Sequence, residues 1–164
     1  MVNPLFDKMI ESLKAGSFFL HSISDLAIQR LEGLDRTQPV NILITGDRDI
    51  YDTAVIMRNL VSFLRYFEDR SDFRILTGDR KGVEAVVRKA VKANGLDHYI
   101  FSTEDDDWRE DSVTKAIKRD HAMLKRADVV FIITHGNVKE TDFMYRRARE
   151  DGLVVSKRNI RRVT

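Results

Sequence analysis

The sequence predicts an α/β fold in three layers: a mostly parallel five-stranded sheet with helices on its faces and a helical extension before it. Three observations carry this expectation. Apolar, β-branched runs such as residues 40–45 (VNILIT) and 129–134 (VVFIIT) have strand length and recur through the chain. Between them lie segments whose apolar residues repeat at helical spacing, and strands alternating with helices imply βαβ units and a parallel sheet. Two of the strand-like runs end in the same four residues, Thr45-Gly46-Asp47-Arg48 and Thr77-Gly78-Asp79-Arg80, one βα repeat apart.

The elements follow in order. Residues 4–15 (Leu5, Met9, Leu13) and 22–34 (Ile23, Leu26, Ala27, Leu31) space their apolar side chains as helices do. A polar turn ending at Pro39 separates this extension, residues 1–38, from the main domain, residues 39–164. Strand 40–45 leads into helix 52–68, with Ile56, Leu60, Phe63, Leu64 and Phe67 on one face. Strand 73–77 leads into helix 82–94, with Val83, Val86, Val87, Ala90 and Val91 on one face. Strand 98–102 precedes helix 112–126, whose inward phase is set by Val113, Ala116, Ile117 and Leu124 and also carries Asp120. Strand 128–134, helix 140–151 and strand 153–156 complete the alternation. The extension also presents Phe6, Phe18 and Phe19, and two short helices cannot bury such faces alone. They pack on the flanking helices or on another subunit, and we expect a homo-oligomer with contacts in residues 4–34.

With 164 residues, 43% of them hydrophobic and 33% charged, the chain can bury one good core. The absence of cysteine excludes disulfides and thiolate metal ligands, and His21, His98, His121 and His135 lack metal-ligand spacing, so no metal is expected. The first acidic residue comes at position 7, no apolar stretch has signal-peptide length, and the longest apolar run is 129–133. The expectation is a cytoplasmic protein without a membrane span. Net charge is +2, but residues 104–111 hold six acids against one arginine, and 143–164 hold seven Lys/Arg against two acids. The acidic run is expected to solvate its loop, with cation binding as the less favoured alternative. The basic end is a solvated terminal segment, with nucleic acid as the less favoured alternative.

The repeated turn bears on function. In an open parallel sheet the βα turns lie at the carboxyl ends of the strands, where ligands bind beside the switch point in strand order. Gly46 and Gly78 therefore stand on one rim. Glycine permits a tight turn and a close backbone approach to a ligand. The helix N-termini that follow favour an anion, and Arg48, Arg80 and Lys81 add positive charge. Such a rim suits phosphate or a nucleotide, although Asp47 and Asp79 can equally cap the next helices. Neither turn is a GxGxxG fingerprint or a P-loop, which argues against an ordinary NAD dehydrogenase or ATPase. After the fourth strand, His135 and Asn137 can bond ribose hydroxyls or phosphate, or cap the loop, and Lys139 is a further cation. Trp108 can stack on a base or close the core edge.

The series ITGDRD, LTGDRKGVEAVVRKA, DDDW and KRDHAMLKRADVVFIITHGNVKETDFMYRRAREDG resembles the YspA-like branch of the SLOG superfamily, the Rossmann-like group that includes the LOG phosphoribohydrolases and DprA. The resemblance spans about residues 40–156 and leaves out the N-terminal helices. It implies ligand contacts from Gly46, Asp47 (where serine is usual) and Arg48. It implies more from Gly78, Asp79 (in place of a second glycine), Arg80, Lys81 and Gly82, and from Trp108 and Arg119. In the last element, HGNVKET, it keeps Gly136 and Thr141 but lacks the double glycine. LOG-type enzymes resemble one another in a glutamate three residues after that threonine; here the position is Met144, whose thioether cannot act as an acid or base.

We therefore expect a Rossmann-like domain that binds or senses a nucleotide or nucleotide-derived small molecule, of ADP-ribose-like character. The alternative is hydrolysis or transfer at an N-glycosidic bond, with Asp120 or Glu84 as the carboxylate. A second alternative is a DprA-like nucleic-acid binder. No cofactor is identified by the sequence.

Overall fold

The computed structural model describes residues 7, 9–11, 14, 25–35, 37–65, 72–103, 112–136 and 138–161. Its elements are α1 (Asp25–Glu32), β1 (Val40–Gly46), α2 (Thr53–Leu64), β2 (Phe73–Gly78), α3 (Val83–Ala93), β3 (His98–Phe101), α4 (Ser112–Arg126), β4 (Val129–Thr134), α5 (Lys139–Glu150) and β5 (Val154–Asn159). The five strands form one sheet in the order β3-β2-β1-β4-β5, and every pair is parallel. The fold is a Rossmann-like three-layer α/β fold. The chain steps outward from β1 to β3 and then crosses back to β4, so the strand order reverses between β1 and β4.

Helices on both faces bury the central strands twice over, which is why β1, β2 and β4 read as nearly continuous apolar runs. Alternate residues serve alternate layers. Ile42, Ile44, Ile75, Phe131 and Ile133 meet Ile56, Leu60 and Phe63 of α2 and Val83, Val87 and Val91 of α3. The Phe63 ring lies 4.2 Å from that of Phe131, centroid to centroid. Leu43, Leu76, Val130 and Ile132 meet Met123 and Leu124 of α4 and Met144 and Ala148 of α5 on the other face.

Part of the extension belongs to the first of these cores. Asp7, residues 9–11 and Lys14 are helical, and Met9, Ile10 and Leu31 are buried in the same cluster as β1 and β4. Lys14 pairs with Glu32 of α1 at 3.0 Å. Arg30 donates to Asp128 Oδ1 at 3.2 Å and to the Ala127 carbonyl at 2.9 Å, which clips α1 to the amino end of β4. The described extension is thus a cover for the core within one chain. Leu5, Phe6, Leu13, Phe18, Phe19 and Ile23, on which the expected stripe also rested, lie outside the described residues.

Two local expectations need correction. Val113 and Ile117 were assigned to the inward face of α4, yet Val113 is 67% exposed and Ile117 is also exposed. Fifteen residues of helix rise about 22 Å, whereas four-residue β3 spans about 13 Å. The buried phase of α4 is carried by Arg119, Asp120, Met123 and Leu124 in its second half. Similarly, residues 157–159, read as the start of a solvated tail, form the second half of β5. They pair with Ile132, Ile133 and Thr134, and the Ile160 amide donates to the Thr134 carbonyl at 2.8 Å. Backbone pairing continues there after the apolar pattern has stopped.

The two edge strands differ in character. At β3, the Arg126 guanidinium lies over the rings of Tyr99 (4.8 Å) and Phe101 (5.6 Å). At β5, Lys157 lies 4.2 Å from the Tyr145 ring centroid, next to Arg158. Among the described residues no helix is long and apolar enough to cross a membrane.

Asp128 gives the fold a pH signature. It accepts from the Asn41 amide at 2.9 Å as well as from Arg30. Burial pushes its carboxyl above the ordinary value of 3.8, and the Asn41 amide and Arg30 offset this only in part. A raised folded pKa contributes stability that is complete below 3.8 and lost as pH rises through the folded value. The wild type is therefore expected to lose stability relative to Asp128→Asn as pH is raised through that window. Urea denaturation of both proteins from about pH 3 to pH 7 reads the difference. A gap that moves in favour of the wild type would contradict this assignment.

Candidate functional site at the carboxyl rim

The repeated Gly-Asp-Arg turns touch each other. A Cβ on Gly82, whose φ is +73°, would collide with the Asp47 carbonyl and the Arg48 backbone. One on Gly46 would collide with the Ile133 carbonyl and Val83, and one on Gly78 with the Glu84 carboxylate. These glycines let the chain pack on itself, whereas the sequence suggested approach to a ligand. The Asp47 amide donates to the Ile133 carbonyl at 3.1 Å, and the Val83 amide donates to the Asp47 carbonyl at 3.3 Å.

The Asp47 side chain is fully buried at the reversal of strand order. It accepts from Thr134 Oγ1 (2.9 Å), Thr141 Oγ1 (2.7 Å) and the His135 amide (2.7 Å). Asp47 therefore ties the β1 turn to β4 and to the first turn of α5. It caps neither neighbouring helix: α2 is capped by Asp52, which accepts from the Val55 amide at 3.2 Å. His135 also uses its ring, donating from Nδ1 to the Ile160 carbonyl at 2.8 Å, and the Gly136 amide donates to Thr134 Oγ1 at 2.9 Å. His135, Gly136 and Thr141 are thus bound into this junction. Asn137 and Trp108 lie outside the described residues.

The β2–α3 turn is braced from three sides. Glu84, fully buried, accepts from Thr45 Oγ1 at 2.7 Å and from the Arg80 amide at 3.0 Å. Arg88 donates to the carbonyls of Gly78 (2.8 Å) and Arg80 (2.7 Å). A buried chain of alternating charge then links the turn to α4. Arg80 Nη2 meets Asp120 Oδ2 at 2.7 Å, Arg119 Nη2 meets Asp120 Oδ1 at 3.0 Å, and Arg119 Nη1 meets Asp79. Asp79 further accepts from the Thr103 amide at 2.9 Å. Burial works against the charge of Arg119, but Glu84 and Asp120 outweigh it and raise its pKa further. Burial likewise pushes Asp79 up, yet the Thr103 amide and Arg119 together bring it below the usual carboxylate value. Both carboxylates considered for catalysis, Glu84 and Asp120, are buried and engaged by these partners.

Beside this chain the rim opens into a concavity of about 460 Å³. It is lined by Arg48 and Tyr51 after β1, by Asp79, Arg80 and Lys81 after β2, by Thr103 after β3, and by Ala116 and Arg119 of α4. Four cations thus face one carboxylate. Arg80 is more than nine-tenths buried, and its Nε has no hydrogen-bond partner. Lys81 is exposed and makes no ion pair among the described residues. The sequence pointed to Arg48, Asp79, Arg80, Lys81 and Arg119, and the structure brings all five together here. It did not point to Tyr51, Thr103 or Arg88. Ile50 is buried while the next side chain, Tyr51, is 66% exposed, so the loop anchors one residue in the core and turns its neighbour outward. An apolar residue directly before an aromatic one, just past Gly-Asp-Arg, was the available signal for Tyr51.

The buried chain yields a stability prediction. Asp120→Ala leaves two guanidinium groups facing each other without their shared carboxylate, and breaking a buried pair in this way costs about 3–5 kcal/mol. Urea denaturation is expected to show that loss, and a change of under about 1 kcal/mol, the range of exposed pairs, would mean that water reaches the site. No family model, curated protein or solved structure matches the chain.

Proposed function

We propose that the chain binds or senses a nucleotide or nucleotide-derived small molecule, ADP-ribose-like in joining a phosphate to a flat base, in the concavity beside α4. The observation that carries this reading is the combination of Lys81, without an ion pair among the described residues, and buried Arg80 and Arg119 with the exposed ring of Tyr51. Cations on a braced turn suit a phosphate, and an exposed aromatic at the mouth suits a base. The resemblance to the YspA-like SLOG proteins supports the same ligand class. Binding is preferred to cleavage of an N-glycosidic bond because Met144 is fully buried where LOG enzymes resemble one another in a glutamate. The lack of cysteine suits a reducing, cytoplasmic compartment.

The direct test is to denature the purified protein and identify co-purified nucleotides by mass spectrometry. Calorimetry then assigns the contacts. Arg48→Ala and Lys81→Ala are each expected to weaken binding by about 1.5–3 kcal/mol, the range for hydrogen bonds to charged groups. Tyr51→Ala is expected to cost about 1–3 kcal/mol through lost stacking. Unchanged affinity in all three variants would remove the concavity from consideration.

We also propose that the protein self-associates, at least as a dimer, through contacts that include residues 4–34. Light scattering is expected to give at least a dimer for the full chain, and a monomer at all concentrations would refute it.

A further inference from the structure

We propose that Glu140 is a built-in competitor for the rim's anion, holding Arg48 until a ligand phosphate takes it; this rests on the concavity binding a phosphate-bearing ligand. Arg48 borders two hollows at once. One is the concavity shared with Tyr51 and Lys81, and the other, of about 340 Å³, is shared with Asp49, Val138 and Glu140. Its guanidinium Nη2 lies 3.2 Å from Glu140 Oε1.

Among the described residues, Arg48 is the cation of the concavity whose ion pair is exposed. Arg80 and Arg119 are locked in the buried chain with Asp120 and Asp79, where losing a partner is costly. Lys81 has no carboxylate partner among the described residues. Arg48 and Glu140, by contrast, have side chains 57% and 45% exposed, so their attraction is screened and weak. The backbone preceding Arg48 is held by both hydrogen bonds of the Asp47 peptide groups, which leaves the choice to the side chain alone. Glu140 sits in the first turn of α5, where the helix dipole favours a carboxylate independently of Arg48 and where no side chain caps the helix. A phosphate beside Lys81 offers a guanidinium more charge and bidentate geometry than one carboxylate oxygen does. Occupancy would therefore move Arg48 from one hollow to the other and release Glu140.

The test is a double-mutant cycle read by calorimetry, with AMP, ADP-ribose and inorganic pyrophosphate each as titrant. Glu140→Gln is expected to tighten binding roughly two- to fivefold, the range that an exposed ion pair allows. The same substitution in an Arg48→Ala background is expected to change nothing. If Glu140→Gln tightens binding equally in both backgrounds, the carboxylate acts through the general field and the proposed competition is wrong. If affinity depends on Arg48 and Lys81 but not on Glu140, the competition is wrong and the ligand site stands. If binding is indifferent to Arg48 and Lys81, or if none of the three titrants binds either wild type or Glu140→Gln, both the site and the competition fall. Thermal melts of each variant, unchanged within a few degrees, show that the comparison is between folded proteins.

Discussion

One buried carboxylate organises the rim. Asp47 receives two threonine hydroxyls and a backbone amide from β4 and α5, and its own peptide groups bond β4 on one side and α3 on the other. Every other feature of the rim is arranged around that junction. Gly82 must lack a side chain because the Asp47–Arg48 backbone fills the space, and Gly46 must lack one because β4 and α3 close in on it. A buried carboxylate needs every acceptor position answered, and here the answering groups come from both sides of the strand reversal. The crevice where an open α/β sheet usually receives its ligand is therefore filled at its floor by the chain itself, and the open space lies to one side, towards α4.

The layers of the fold were legible because burial on both faces writes an unmistakable pattern. Long apolar runs for β1 and β4, and helical periodicity in α3, led to elements within a residue or two of those observed, whereas the helix expected over 52–68 is seen as Thr53–Leu64 with a turn at Arg65, and Phe67 lies outside the described residues. Legibility failed where packing and pattern part company. Lys157 and Arg158 are strand residues by hydrogen bonding alone, and Val113 and Ile117 are apolar without being buried, because the buried phase of α4 lies in its second half. The site was legible in its residue types more than in their roles. Arg48 and Lys81 converge because the βα turns of the neighbouring strands β1 and β2 must, and Arg119 joins them from within α4. Sequence cannot show which of the acids between them are spent on holding the turn. Asp47, Asp79, Glu84 and Asp120 look alike on paper, and all four are consumed by internal donors.

This consumption separates two kinds of cation. Arg80, Arg88 and Arg119 are structural partners of carboxylates and carbonyls, and their positions are set by burial. Arg48 and Lys81 project from the same braced turns but remain in solvent. A braced base with exposed tips presents charge at a defined place, which lowers the ordering cost that a ligand must meet.

The ends of the sheet carry a consequence of their own. An open sheet leaves two strands with one unpaired side, and such edges template unwanted association with other chains. Here β3 is only four residues long and lies under the guanidinium of Arg126, while β5 ends in Lys157 and Arg158. Two copies meeting β5 to β5 would bring four cations together, and two meeting β3 to β3 would have to displace an arginine from each pair of rings. Charge at β5 and the arginine over the β3 rings thus both oppose sideways growth of the sheet into a fibre.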